Sequence, residues 1–165
     1  MENNILDNII KNLKKLDYKL AIAESTTGGL ISSTIVSSEL GVSNVYNGAI
    51  IAYNNEAKMK LLSVKGETLA RYGAISKYAA VEMAIGVKKA LSADVTVAIT
   101  GNVGPKSSED KEIGLIYFVI LINDIFYEFE MNIPNLGRNK NRILATQKVF
   151  EELDKLLEKT INDNK

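Results

Sequence analysis

Two apolar runs, Ile113 to Ile122 and Ile125 to Ile133, are separated only by the dipeptide Asn123-Asp124. Asn and Asp tolerate the left-handed backbone of a two-residue hairpin turn, so this stretch predicts two adjacent antiparallel strands. Such a hairpin excludes a purely parallel sheet, and the remainder of the chain excludes an all-β one. Ile5, Ile9, Leu13 and Leu16 recur at helical spacing and predict an opening amphipathic helix of about four turns. Lys19 to Glu24 reads as a short buried strand running through Ser25-Thr26-Thr27-Gly28-Gly29 into a helical stretch, Leu30 to Leu40. A second strand, Tyr46 to Tyr53, is broken by Asn54-Asn55 before a short helical piece carrying Lys58, Leu61 and Leu62. Gly66 to Tyr72 predicts another short helix closed by Gly73, and Ser76 is the expected N-cap of a helix reaching about Leu91. Asp94 to Thr100 reads as a buried strand, and 101–112 as the longest loop. A last helix, Arg138 to Ile161, is expected to bury Ile143, Phe150, Leu153 and Leu157 along one stripe. Helices interspersed with strands and a single hairpin near the end define an α/β chain with helices on both faces of a mixed sheet.

The length, 165 residues, suits one domain, and 46% hydrophobic with 24% charged residues is ordinary for a folded soluble chain. Twenty Lys and Arg balance twenty Asp and Glu, so no net basic field attracts a nucleic acid backbone or an anionic membrane. The opening residues lack a basic leader, and the longest apolar run is too short to span a bilayer, so a cytoplasmic location without membrane association is the expectation. There is no Cys, which suits a reducing compartment, and no His. The absence of His removes Ser-His-Asp triads, Cys-His pairs and the common His-based zinc sites together. Any nucleophile must therefore use a carboxylate, a Tyr, or a Lys neutralised by burial or nearby positive charge.

Glu24-Ser25-Thr26-Thr27-Gly28-Gly29 presents a hydroxyl at a strand exit and glycines at a helix start, where free amides of the first turn can hold an oxyanion or phosphate. Spacing alone favours a plainer reading, in which Ser25 or a Thr caps the helix and the glycines permit a tight turn. Tyr53 and Lys58 flank the next strand-to-helix junction. Lys58 can act as a base and Tyr53 as a proton relay, although one lysine among seventeen reads first as a solvated surface charge. Arg138 and Arg142, two of only three arginines, share a face at spacing i, i+4 and can grip a phosphate or carboxylate as forks, or pair with the acidic surface. The 101–112 loop lacks Walker spacing and the chain has no G-x-G-x-x-G. Glu109, Asp110 and Glu112 have no defined ligand spacing and read as a solvated charge run, so no metal and no cofactor is expected.

In order along the chain, Ala23-Glu24-Ser25-Thr26-Thr27-Gly28-Gly29, Tyr53-Asn54-Asn55-Glu56-Ala57-Lys58, Tyr72-Gly73-Ala74-Ile75-Ser76, Ala80-Val81-Glu82-Met83-Ala84, Thr100-Gly101 with Gly104-Pro105, and Gly137-Arg138 with Arg142 and Ala145-Thr146 form one recognisable series. From about residue 5 to about 157 the chain resembles the nicotinamide-nucleotide amidase family, also known as the C-terminal domain of the competence/damage-inducible protein CinA. The resemblance implies a single domain over residues 1–165, a three-layer α/β/α sandwich with a mixed, mostly parallel sheet. It further implies metal-independent hydrolysis of the carboxamide of nicotinamide mononucleotide to nicotinate mononucleotide and ammonia, a pyridine nucleotide salvage reaction. Ser25 is then the nucleophile, Lys58 its base and Tyr53 a partner in the proton network. Thr27, Gly28, Gly29, Thr100 and Gly101 line the site, and Arg142 with Arg138 faces the substrate phosphate.

The sequence departs from the family at two places. Thr26 stands where the family usually has Cys, and the loop Asn102-Val103-Gly104-Pro105-Lys106-Ser107-Ser108 lacks further glycines that usually follow Gly-Pro, which narrows its backbone freedom. A non-catalytic nucleotide-binding or regulatory module is therefore the alternative to the hydrolase. A small-molecule pyridine nucleotide is the expected partner in either case, and a homo-oligomer is compatible with both.

Overall fold

The computed structural model describes residues 3–164. Met1, Glu2 and Lys165, the ends of the expected 1–165 domain, lie outside the described residues. The order of elements is α1 (Asn3–Leu16), β1 (Leu20–Glu24), α2 (Leu30–Val36), β2 (Tyr46–Ile51), α3 (Asn55–Leu62), α4 (Gly66–Tyr72), α5 (Lys77–Leu91), β3 (Val95–Gly101), β4 (Leu115–Ile122), β5 (Ile125–Asn132) and α6 (Arg138–Asp163). The strands form one sheet in the order β2-β1-β3-β4-β5. β1 pairs in parallel with β2 and β3, whereas β3–β4 and β4–β5 are antiparallel, so only β4 opposes the common direction. The hairpin turn has Asn123 at φ 47° and Asp124 at φ 68°, the left-handed pair expected of a two-residue connection.

Side chains alternate between the two faces of the sheet, and the faces differ in size. Leu20 and Ile22 of β1, Val97 and Ile99 of β3, and Phe118 and Ile120 of β4 meet α1, α2 and α6. The opposite face presents Ala21, Ala23 and Ala98 to Ala79, Ala80, Met83 and Ala84 of α5. Small side chains on both partners bring α5 close to the central strands. Gly86 brings α5 equally close to α3, since a Cβ there would lie 2.0 Å from the Leu62 carbonyl oxygen. On the larger face, each fully buried aliphatic or aromatic side chain contributes about 1.5–3 kcal/mol.

Two elements end or turn differently from their apolar spacing. α2 stops at Val36 rather than continuing to Leu40. There the Ser37 hydroxyl donates to the Thr34 carbonyl at 2.7 Å and the Leu40 amide donates to Ser38 Oγ at 3.2 Å, which draws the backbone out of the helix. Ile143, expected in the buried stripe of α6, is 46% exposed, while Phe150, Leu153 and Leu157 are buried as expected. In this first part of α6 the interior position belongs to Asn141, which accepts from the Leu136 amide at 3.2 Å and donates to the Val103 carbonyl at 3.4 Å.

The chain leaves β1 toward β2 on one side and returns to β3 on the other. The crevice beyond the carboxyl ends of these strands is therefore a topological switch point, where α/β sheets bind ligands. Ser25 follows β1, Tyr53 and Lys58 follow β2, and Thr100 and Gly101 close β3.

Candidate active site

Ser25 is held by the sheet on both sides. Its amide donates to the Ile99 carbonyl at 3.1 Å, continuing the β1–β3 pairing, and the Ala52 amide donates to the Glu24 carbonyl at 2.8 Å, continuing β1–β2. The chain then reverses, with the Gly28 amide donating to the Ser25 carbonyl at 3.1 Å. Gly28 at φ 59° and Gly29 at φ 93° occupy the left-handed region that a side chain would strain. The Glu24 carboxylate, wholly buried, governs this turn. It accepts from Thr27 Oγ1 at 2.6 Å and from the amides of Gly29, Ile31 and Ser32 at 2.9, 3.2 and 2.8 Å. Both sequence readings of this junction change accordingly. No side chain of Ser25 or Thr27 caps α2, whose cap residue is Gly29, and the first-turn amides are taken by Glu24 rather than left free for an oxyanion. The carboxylate also compensates the positive end of the helix.

Lys58 is brought to Ser25 by α3. Asn54 Oδ1 accepts from the Ala57 amide at 2.8 Å and fixes the start of that helix, so Lys58 in its first turn is directed back toward the strand ends. Its Nζ lies 2.9 Å from Ser25 Oγ and 2.9 Å from the Ala52 carbonyl oxygen, to which it donates. The residue is 1% exposed, not the solvated surface charge expected of one lysine among seventeen. Burial lowers its pKa from 10.5 to about 8, against an opposing pull from the Glu109 carboxylate. About one molecule in ten then carries a neutral Lys58 at pH 7. A neutral amine can donate one N–H to Ala52 and use its lone pair to take the Ser25 proton.

These two residues open onto a cavity of about 630 Å³, of the size that holds a small ligand. Tyr53, Thr100, Gly101 and Arg138 share its walls with the loop from Asn102 to Glu109. Thr100 donates its hydroxyl to the Ala74 carbonyl at 2.8 Å. Gly101 is required by the approach of β4, because a Cβ there would stand 2.8 Å from the Leu115 carbonyl oxygen. The two arginines separate. Arg138 reaches the rim, where one nitrogen donates to the Tyr53 hydroxyl and the other to the Gly104 carbonyl. Arg142 directs Nε and Nη2 at the Thr27 carbonyl, at 3.0 and 2.6 Å, and so braces the turn after Ser25. Thr27, Gly28, Gly29 and Arg142 thus shape the Ser25 turn without lining the cavity. Tyr53, 61% exposed, makes its hydrogen bond to Arg138 rather than to Ser25 or Lys58.

Glu24 and Glu109 were absent from the expected site. A charged residue ending an apolar strand just before a Gly-rich helix start is a readable signal for the first. Glu109 has none, because its partners lie in the Gly73–Ser76 segment: its carboxylate oxygens accept from the Ala74 and Ile75 amides, each at 3.0 Å. It is therefore not part of a solvated charge run. Among the described residues no group of three or more His, Cys, Asp or Glu is placed to hold a metal ion, and no helix is long and apolar enough to cross a membrane.

A serine hydroxyl and a buried lysine amine thus meet at the switch point of a mixed α/β/α sandwich, a pairing in which an amine can take a hydroxyl proton. Residues 2–157 match the family described as the CinA C-terminal domain, and the chain belongs to that family. It is 44% identical over 151 residues to Protein MG115 of Mycoplasma genitalium, with 92% of this chain and 96% of that protein covered. It is 40% identical over 159 residues to a putative competence-damage inducible protein of Clostridioides difficile, covering 96% of this chain and 38% of that longer protein. The crystal structure of the competence/damage inducible protein CihA from Agrobacterium tumefaciens superposes with a TM-score of 0.83 at 31% identity, over 99% of this chain and 95% of the other.

Proposed function

We propose that the chain is a metal-independent amidohydrolase that converts nicotinamide mononucleotide to nicotinate mononucleotide and ammonia through a Ser25 acyl-enzyme. The observation that carries the reaction class is the 2.9 Å contact between Ser25 Oγ and the Nζ of a lysine buried away from water. The family resemblance supplies the substrate.

Neutral Lys58 takes the Ser25 proton as Oγ attacks the carboxamide carbon. The resulting tetrahedral intermediate collapses with loss of the amide nitrogen, which receives the proton from the Lys58 ammonium and departs as ammonia. Lys58, neutral again, takes a proton from water as the water oxygen attacks the ester. The carboxylate leaves, and Ser25 recovers its proton. The Ala52 carbonyl holds the amine in register through the cycle, and Glu24 with Arg142 fixes the turn that aims Oγ. Arg138 at the rim provides the positive charge for the anionic end of the nucleotide, with Tyr53 steadying its guanidinium.

Ammonia release from nicotinamide, its riboside and its mononucleotide, with and without excess chelator, tests this reading. Release from the mononucleotide at an unchanged rate in chelator is expected. Tight nucleotide binding with no ammonia from any amide would instead select the non-catalytic module.

A further inference from the structure

The Gly73–Ser76 segment forms a wall of the cavity and is fixed without help from the loop facing it. Ser76 Oγ donates to the Gly73 carbonyl at 2.9 Å and accepts from the Ala79 amide at 3.2 Å, while the Ala74 carbonyl is held by Thr100. Two consecutive amides, of Ala74 and Ile75, are thereby aimed together, and each meets a different oxygen of the Glu109 carboxylate at 3.0 Å. Gly73, at φ 79°, leaves the space the carboxylate occupies, since a Cβ there would stand 2.4 Å from Glu109 Oε2. A pair of preoriented amides beside a glycine is the arrangement that receives the oxygens of an anion.

The occupant is attached differently from the platform. Glu109 sits with Asp110 in a two-residue turn, at φ 56° and 55°, between the bridged residues Ser108 and Lys111. Neither is a glycine, so the turn costs backbone energy that the two amide contacts offset. The residue is exposed apart from these contacts, whereas Ala74 and Ile75 are buried. An anion arriving through the cavity can therefore replace the carboxylate, which moves into water still charged and hydrated. The same cavity holds Ser25 and Lys58.

We propose that the Ala74–Ile75 amide pair is an oxyanion-binding subsite of this cavity, held by the Glu109 carboxylate until a phosphate or carboxylate group of a small molecule displaces it. Which molecule bears the group rests on the proposed amidase reading, where the nucleotide phosphate and the product carboxylate are the two sources. The binding step is separate from turnover. If Glu109 fills the subsite in about nine molecules of ten, its removal tightens the apparent affinity for a competing anion about tenfold.

The test follows the amide resonances of Ala74 and Ile75 in the full ¹⁵N-labelled chain while inorganic phosphate, and in a second series nicotinate, is added to the unaltered protein and to Glu109→Ala. Saturable shifts of both amides are expected, with about tenfold tighter binding in the variant. Shifts with phosphate point to the nucleotide phosphate as the natural occupant, and shifts with nicotinate to the product carboxylate. Amides that stay still in the folded variant, or an affinity equal to or weaker than that of the unaltered protein, would overturn the proposal and leave Glu109 as a loop fastening only. Should Glu109→Ala not fold, Glu109→Gln, which retains one acceptor without charge, must show a gain of the same sign, and no gain counts against the subsite. Absence of amidase activity alongside these shifts would refute the proposed function and leave the subsite standing.

Discussion

Replacing Lys58 by Met keeps most of the bulk of the side chain while removing the amine that lies 2.9 Å from Ser25 Oγ, and its effect on stability depends on pH in a calculable way. The folded chain lowers the Lys58 pKa from 10.5 to about 8 through burial. Below pH 8 the folded and unfolded chains both carry the proton. Between about 8 and 10.5 the folded chain has released it and the unfolded chain still holds it, so folding becomes more favourable as pH rises. At about 1.36 kcal/mol per pH unit, the whole window is worth roughly 3 kcal/mol. That contribution is complete above pH 10.5 and lost as pH falls through 8. Lys58→Met has no such group, so urea unfolding of both proteins at pH 7 and at pH 11 should show the stability of the unaltered chain, relative to the variant, rising by roughly 3 kcal/mol. The remaining lysines and tyrosines are common to both chains and cancel in the difference. Activity should fall by about 10²–10⁴-fold in the variant, and in the unaltered enzyme kcat/KM should rise with pH to a plateau above about 8. Parallel stability curves for the two proteins would mean that Lys58 carries an ordinary proton in the folded chain, and the base mechanism would lose its foundation.

Glu109→Gln removes the negative charge that opposes the lowering at Lys58, so the acid limb of kcat/KM should move to lower pH; a limb that stays in place or moves up contradicts the coupling. Arg138→Lys should raise KM for the nucleotide more than for its riboside, because a lysine cannot contact Tyr53 and Gly104 together, whereas Arg142→Lys should lower kcat for both by loosening the Thr27 carbonyl. An equal effect of Arg138→Lys on nucleotide and riboside would remove the phosphate role at the rim. Glu24→Gln places an amide donor where four donors converge and should cost at least about 2 kcal/mol of stability. Urea midpoints indistinguishable from the unaltered chain would show that the carboxylate is dispensable.

Elements governed by local chemistry were readable from the sequence. The Asn123-Asp124 turn, the Ser76 cap and the helix ending before Gly73 all depend on residues within a few positions of one another, and each appears as expected. The burial of Lys58 is not readable in the sequence, because one lysine among seventeen carries no local mark and the Ser25 hydroxyl that meets it lies 33 residues away. Glu109 was misread for the same reason, its acceptor role being defined by amides 34 and 35 residues away. The arginine pair shows the limit of periodicity. Spacing i, i+4 puts Arg138 and Arg142 on one face, yet their long side chains diverge to the Gly104 and Thr27 carbonyls. Ile143 shows it as well, since its spacing puts it in the stripe with Phe150 yet Asn141 holds the interior position there and Ile143 is left exposed.

The unequal faces of the sheet give the two halves of the core different freedom to change over time. Among the large side chains against α1 and α6, a methylene lost at one position can be regained at another, so that layer can drift through compensating exchanges. Against α5 the centre of the sheet has no such slack: Ala21, Ala23 and Ala98 have almost nothing to lose, and Gly86 already touches the Leu62 backbone, while the larger Val119 and Leu121 lie to one side on β4. Any enlargement there lifts α5, and α5 begins immediately after the Ala74 and Ile75 amides and packs beside the helix that carries Lys58. Substitutions buried far from the cavity on this side would therefore shift Lys58 and the Ala74–Ile75 segment relative to Ser25 before they were felt in the stability of the fold, and the small residues of this layer act as the gauge that spaces them.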